Sequence, residues 1–229
     1  MRKPVAVLDY SVDGLSGELI SRWLKIPSTV IRITGDEPFP SILPEECKAV
    51  IHSGSALSIL SETVFMNGAV DFIRKSADSG IPQMGICYGH QLLARAFLGL
   101  DGVARCSSVE LGWLDVSFLP AWPVAGLSGR MAVWQSHYDC IVRLPAGSVI
   151  TATNRHTEIQ AFFNRDMKLF GTQFHPEFDT QSGNRCFSND PELFRKNGVS
   201  LTETLASGPG FNTGEIIFGH FLKTFFEEE

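Results

Sequence analysis

The chain has no C-x-x-C pair, and its five cysteines follow no regular spacing, so no disulfide framework is indicated. No apolar run is long enough to span a bilayer. Residues Met1 to Val5 lead straight into a strand, with no signal-type apolar region before it. Positive charge is short too: the net charge of −6 argues against a nucleic-acid or anionic-membrane partner. There is no G-x-x-x-x-G-K-[ST] phosphate loop. Internal repeats, low-complexity segments and long polar linkers are also missing. These absences predict one cytoplasmic domain spanning residues 1–229. With 44% hydrophobic and 19% charged residues, the composition is that of a globular chain able to bury a sizeable core.

The informative stretch runs from Pro82 to Ala94. Gln83–Ile86 reads as a buried strand, Cys87 as a tight turn, and His90–Leu98 as a helix with Leu92, Leu93, Ala96 and Phe97 on one face. Gly85 and Gly89 bracket the cysteine and remove the Cβ atoms that would crowd the corner. A thiol at the N-terminus of a helix is favoured as thiolate by the backbone dipole. The pattern is the sulfur counterpart of the G-x-S-x-G elbow. Cys47, Cys106, Cys140 and Cys186 have no such setting and read as packing residues.

A base for that thiol lies far along the chain. Leu169–Phe174 reads as a strand ending at His175-Pro176-Glu177. Pro176 keeps the residue before it extended, and residues two apart in an extended segment point the same way. His175 and Glu177 are therefore expected to project together, with the carboxylate fixing the imidazole tautomer. Cys87, His175 and Glu177 make a nucleophile, a base and its orienter.

The stretches G-I-C-Y-G-H-Q at 85–91 and F-H-P-E at 174–177 resemble the two signatures of the class I glutamine amidotransferases. Val50-Ile51-His52-Ser53-Gly54-Ser55 lies where that family keeps its oxyanion loop. Trp134-Gln135-Ser136-His137-Tyr138-Asp139 resembles the W-x-S-H-x-D stretch of the GMP-synthetase-like branch. Order and spacing agree from about residue 5 to the C-terminus. The resemblance implies hydrolysis of the glutamine side-chain amide through a γ-glutamyl thioester. It assigns oxyanion stabilisation to the backbone N–H of Tyr88 and to the Gly54-Ser55 loop. It gives Gln91, Ser136 and His137 to the substrate. No cofactor and no metal are implied. Where the commonest family loop is Gly-Gly-Pro, this chain has Gly54-Ser55-Ala56, which leaves open which N–H points inward. The chain has no room for a fused synthase, so the ammonia would pass to a separate synthase subunit. A hydrolase of γ-glutamyl peptides or conjugates would use the same triad, and a non-catalytic regulatory relative is a third reading.

The remaining chain reads as α/β. Strands are expected at Val5–Asp9, Ser28–Ile33 and Ala49–His52. A helix starting near Ser16 as N-cap should run to Lys25, and another should span Thr63–Ser79 with Val64, Phe65, Val70, Ile73 and Ala77 inward. Alternation of strands and helices argues for an open, mostly parallel sheet flanked by helices, flavodoxin-like by the resemblance, with ligands beyond the strands' carboxyl ends. From Val103 to Phe163 short β runs at 109–118, 131–134, 148–153 and 159–163 predict a small antiparallel extension on one end of the sheet, with turns at Pro120, Pro123, Gly126, Pro145 and Gly147. Residues 179–213 are polar, with helices expected near 191–196 and 201–206, and Gly214–Phe226 reads as a last amphipathic helix. His52, His90, His156 and His220 have no convergent partners in sequence and read as structural.

Overall fold

A computed structural model describes residues 3–121 and 127–226, with no side chain for residue 226. Pro123 and Gly126, two of the expected turn residues, lie outside the described residues.

The first half alternates as expected. In order come β1 (Val5–Asp9), α1 (Leu15–Trp23), β2 (Ser28–Arg32), β3 (Ala49–His52), α2 (Met66–Asp78), β4 (Gln83–Ile86) and α3 (Tyr88–Leu98). The second half supplies β5 (Val103–Phe118), β6 (Gly129–Ile141), β7 (Val149–Thr153), β8 (Ala161–Asn164) and β9 (Leu169–Thr172). Four helices follow: α4 (Thr180–Asn189), α5 (Pro191–Lys196), α6 (Leu201–Ala206) and α7 (Thr213–Phe226).

Among the described residues, these nine strands join one sheet in the order β2-β1-β3-β4-β9-β8-β7-β5-β6. From β2 to β9 every pairing is parallel. From β9 to β6 every pairing is antiparallel. The antiparallel strands therefore continue the main sheet edgewise, because β9 pairs parallel with β4 on one side and antiparallel with β8 on the other.

The inner strands are apolar on both faces because helices cover both. Val5 and Val7 face Ile20, Leu24, Ile217, Phe218 and Phe221 of α1, its end and α7. Ala6 and Leu8 face Phe72, Ile73, Leu92 and Leu93 of α2 and α3. A third cluster packs Trp113 and Trp134 of the extension against Phe178, Phe187 and Phe194.

Several boundaries differ from expectation. Helix α1 is capped by Gly14 at φ 79°, not by Ser16, whose side chain is buried within the first turn. The left-handed cap suits a residue without Cβ. The helix stops at Trp23, as Leu24 turns extended. Helix α2 starts at Met66, so Val64 lies outside it and is 61% exposed. Strand β5 begins six residues earlier than the apolar run at Val109, carried past a register shift between Arg105 and Glu110. Strand β6 takes in the whole Trp134–Asp139 stretch. Helix α4 was not expected, since Phe187 is its only well-buried large apolar residue. Its cap was legible: the Asp179 carboxylate accepts the Ser182 N–H at 2.7 Å.

Candidate active site

The carboxyl ends of β3 and β4 and the segment just beyond β9 meet at one corner. Cys87 sits between β4 and α3 at φ 49° and ψ −103°, a conformation L side chains rarely adopt. Such strain costs about 1–3 kcal/mol and persists only where surrounding structure enforces it. Here the Cys87 N–H donates to Thr172 O at 2.8 Å, and the Gly89 N–H donates to Ser53 O at 3.1 Å. The flanking glycines are sterically required. A Cβ on Gly85 would stand 2.5 Å from Gly89 O, and one on Gly89 would stand 2.2 Å from His52 O.

His175 is anchored by its N–H, which donates to Trp134 O at 3.0 Å, so the imidazole is tied to β6. Its Nδ1 lies 2.7 Å from Glu177 Oε1. Glu177 is fully buried, and its carbonyl accepts from Trp23 Nε1 at 3.0 Å and Arg22 at 3.3 Å. Burial alone would lower the imidazole's proton affinity, but the charges of Glu177 and Cys87 and hydrogen bonds to both outweigh it. They raise the His175 pKa to about 10. Cys87 is thus near enough for its charge to be felt at the imidazole. With Nδ1 on the carboxylate, Nε2 is the nitrogen free for the sulfur.

The Gly54 loop lies on the imidazole: a Cβ there would be 2.5 Å from His175 Cε1. The loop is pinned from β1. Ser53 Oγ accepts the Tyr10 N–H at 2.8 Å and donates to Asp9 Oδ1 at 3.2 Å, while Asp9 Oδ2 pairs with Arg32 at 2.9 Å. Ser55 Oγ accepts the Leu57 N–H at 3.1 Å, shaping the loop's far side.

A cavity of about 230 Å³ opens over this corner, with Asp13, Ser55, Trp134, Ser136, His175 and Cys186 among its walls. Cys87 is 4% exposed. Ser136 faces the cavity. His137 is its neighbour on β6 and points to the opposite side of the sheet. It is buried, with Nε2 3.2 Å from Glu110 Oε2 and Nδ1 3.1 Å from Asp139 O. Gln91 is not among the lining residues either. Its Nε2 donates to Asp139 O at 2.6 Å and to Gln173 Oε1 at 3.0 Å. The Tyr88 ring packs against Tyr10 and Phe65; its backbone N–H, at the first position of α3, has no intrahelical acceptor.

Sequence reading missed three residues here. Gln173 donates from Nε2 to Cys87 Sγ at 3.6 Å. The two-residue periodicity that pairs His175 with Glu177 extends back to it. Asp13 and Cys186 line the cavity from loops and helices distant in sequence, and no local signal marks them. Among the described residues no group of three His, Cys, Asp or Glu is placed to hold a metal. No helix among them is long and apolar enough to cross a membrane. His52 and His90 are buried and held neutral, their pKa values lowered by desolvation to about 4 and about 3.

The family model described as glutamine amidotransferase class-I matches residues 11–190. A glutamine-hydrolyzing GMP synthase subunit of Sulfurisphaera tokodaii is 32% identical over 195 residues, covering 84% of this chain and 99% of that protein. The corresponding GMP synthase subunit of Methanothermobacter thermautotrophicus is 34% identical over 178 residues, covering 76% and 88%. In fold, the chain is similar to a glutamine amidotransferase from Methylobacillus flagellatus, with a TM-score of 0.79 over 99% of this chain and 94% of that one at 21% identity. The chain belongs to the class I glutamine amidotransferases, in the branch similar to GMP synthase.

Proposed function

We propose that this chain hydrolyses the side-chain amide of L-glutamine through a Cys87–His175–Glu177 triad and hands the ammonia to a separate synthase subunit. The observation that carries the reading is the His175–Glu177 contact at 2.7 Å beside a strained, glycine-flanked Cys87. The Cys87 thiolate attacks the amide carbon, and the negative charge moves to the oxygen. Backbone N–H groups of Tyr88 and of the Gly54-Ser55 loop receive that oxyanion. Losing one such donor costs on the order of 10²–10³ in rate. Protonated His175 gives its proton to the departing nitrogen, the C–N bond breaks, and ammonia leaves a γ-glutamyl thioester. His175, now neutral, takes a proton from water, whose oxygen attacks the thioester. The C–S bond breaks, and glutamate and the thiolate are regenerated. Ser136 serves the substrate's amino-acid end. The separate acceptor is drawn from relatives that are named as one subunit of GMP synthase. A reducing cytoplasmic setting keeps the thiol free.

The test is incubation with glutamine and, in parallel, with γ-glutamyl dipeptides, scoring glutamate and ammonia. Release of glutamate and ammonia from glutamine, lost in Cys87→Ala, is the expected result. Turnover of the dipeptides alone reassigns the enzyme to γ-glutamyl hydrolysis. No turnover, together with no labelling of Cys87 by a glutamine-analogue electrophile, refutes catalysis.

A further inference from the structure

Behind the triad lies a run of buried polar side chains that hydrolysis as written above does not use. Gln173 is fully buried, Gln91 is 3% exposed and Asp139 is 5% exposed. An amide with no solvent around it must find its partners in the protein, and its direction is then set by them. Asp139 is the anchor. Its Oδ2 accepts from Ser58 Oγ at 2.6 Å and from the Ile59 N–H at 3.2 Å, and its Oδ1 pairs with Arg105 at 3.2 Å. Its carbonyl oxygen can only accept, and Gln91 lies 2.6 Å from it, so the near end of Gln91 must be the NH₂. The second hydrogen of that NH₂ goes to Gln173 at 3.0 Å, so the near end of Gln173 must be the oxygen. The other end of Gln173 is then necessarily the NH₂, and it stands 3.6 Å from Cys87 Sγ. Turning Gln173 around would set one NH₂ against another, and turning both amides would set an oxygen against the Asp139 carbonyl.

We propose that Gln173 is a further catalytic residue, holding an amide N–H on the Cys87 sulfur, and that Gln91 is a positioning residue that aims it. This rests on Cys87 being the nucleophile. A donor facing sulfur stabilises the thiolate over the thiol, as hydrogen bonding to the charged form of any acid does. It serves twice: before attack, and again when the thioester C–S bond breaks and the electron pair returns to sulfur. Gln91 therefore acts on the sulfur through Gln173. The arrangement spans three elements, since Gln91 comes from α3, Asp139 from β6, and Gln173 follows β9. A hydrophobic residue at 173 would fill the space but leave Gln91 and the sulfur without their partner.

The direct readout is the pH dependence of Cys87 alkylation by iodoacetamide, in which the thiolate displaces iodide, followed on the Cys87 peptide by mass. This separates it from Cys186, whose thiol is pushed up to about 11 by burial and by the Asp13 and Glu177 charges. Gln173→Met, which removes the donor at similar volume, is expected to move the midpoint up by about one pH unit, a ten-fold loss of thiolate. Gln173→Glu, which sets an anion against the sulfur, is expected to move it further. Glutamine turnover in Gln173→Met should show kcat reduced roughly ten-fold with KM unchanged. Gln91→Leu, which leaves the sulfur's own neighbour in place but unaimed, should give a smaller upward shift. Midpoints equal to wild type in the folded Gln173 variants overturn the inference. Should neither fold, an unchanged midpoint in Gln91→Leu overturns it instead. A wild-type protein that alkylates at Cys87 yet releases no glutamate from glutamine refutes the glutaminase reading and leaves the thiolate measurement standing.

Discussion

A methyl group on Gly54 probes the seating of the loop against the base. Its Cβ would lie 2.5 Å from His175 Cε1 and 3.3 Å from Nδ1, whereas ordinary contact starts at 3.4 Å. Either the loop or the ring has to give by about 1 Å, and misplacing a reacting group that far costs on the order of 10²-fold. The ring has little freedom to yield. Nδ1 is bonded to Glu177 at 2.7 Å, and the Trp134 ring stands edge-on at 4.7 Å between centroids. The loop is held in turn by Ser53 and Asp9. Gly54→Ala is therefore expected to lower kcat for glutamine about a hundred-fold. Backbone strain makes no contribution, because Gly54 lies outside the left-handed φ region. Gly99→Ala is the opposite control. Its Cβ meets nothing within 4 Å, but its φ of 64° and ψ of −151° suit only glycine, so it should cost about 1–3 kcal/mol of stability and leave kcat alone. The assay is steady-state glutamate release, with thermal unfolding of both variants alongside. A kcat for Gly54→Ala within three-fold of wild type (~0.7 kcal/mol), in a protein that still unfolds cooperatively, would refute the proposed contact between loop and base.

Glu177→Gln keeps the shape but replaces the acceptor that fixes the His175 tautomer. Turnover is expected to fall by on the order of 10³–10⁴ with KM little changed, and a loss below ten-fold counts against Glu177 as the orienter. The raised His175 pKa has a sign that unfolding can check. The unfolded imidazole titrates near 6.5 and the folded one near 10, so the stabilisation is complete below pH 6.5 and is lost as pH rises through 10. The melting temperature should fall between pH 8 and pH 10.5 more steeply in wild type than in His175→Gln, and parallel curves would contradict the shift.

Much of the architecture is carried by short-range pattern. Strands β1, β3 and β4 have the bounds expected from the sequence, each built on a short apolar run. The elbow is legible because its glycines stand two residues either side of Cys87, and His175 with Glu177 because extended neighbours two apart share a side. Helix α4 was hidden because a polar helix with one large buried anchor leaves no stripe to read. Asp13 and Cys186 reach the cavity wall from separate parts of the chain, so neither has a spacing to betray it.

The amino-acid sequence alone determined the glycine-flanked corner at Cys87, the shared projection of His175 and Glu177, and the alternation that builds a parallel sheet, because each depends on residues a few positions apart. Tertiary structure alone decided that Ser136 faces the cavity while His137 is buried beside Glu110. It also decided that Gln173 meets a sulfur 86 residues away and that Gln91 orients it. Those outcomes depend on which face of β6 turns inward and on how the segment beyond β9 lies against α3. Packing of the whole sheet and its helices sets both, and no local stretch of chain encodes either.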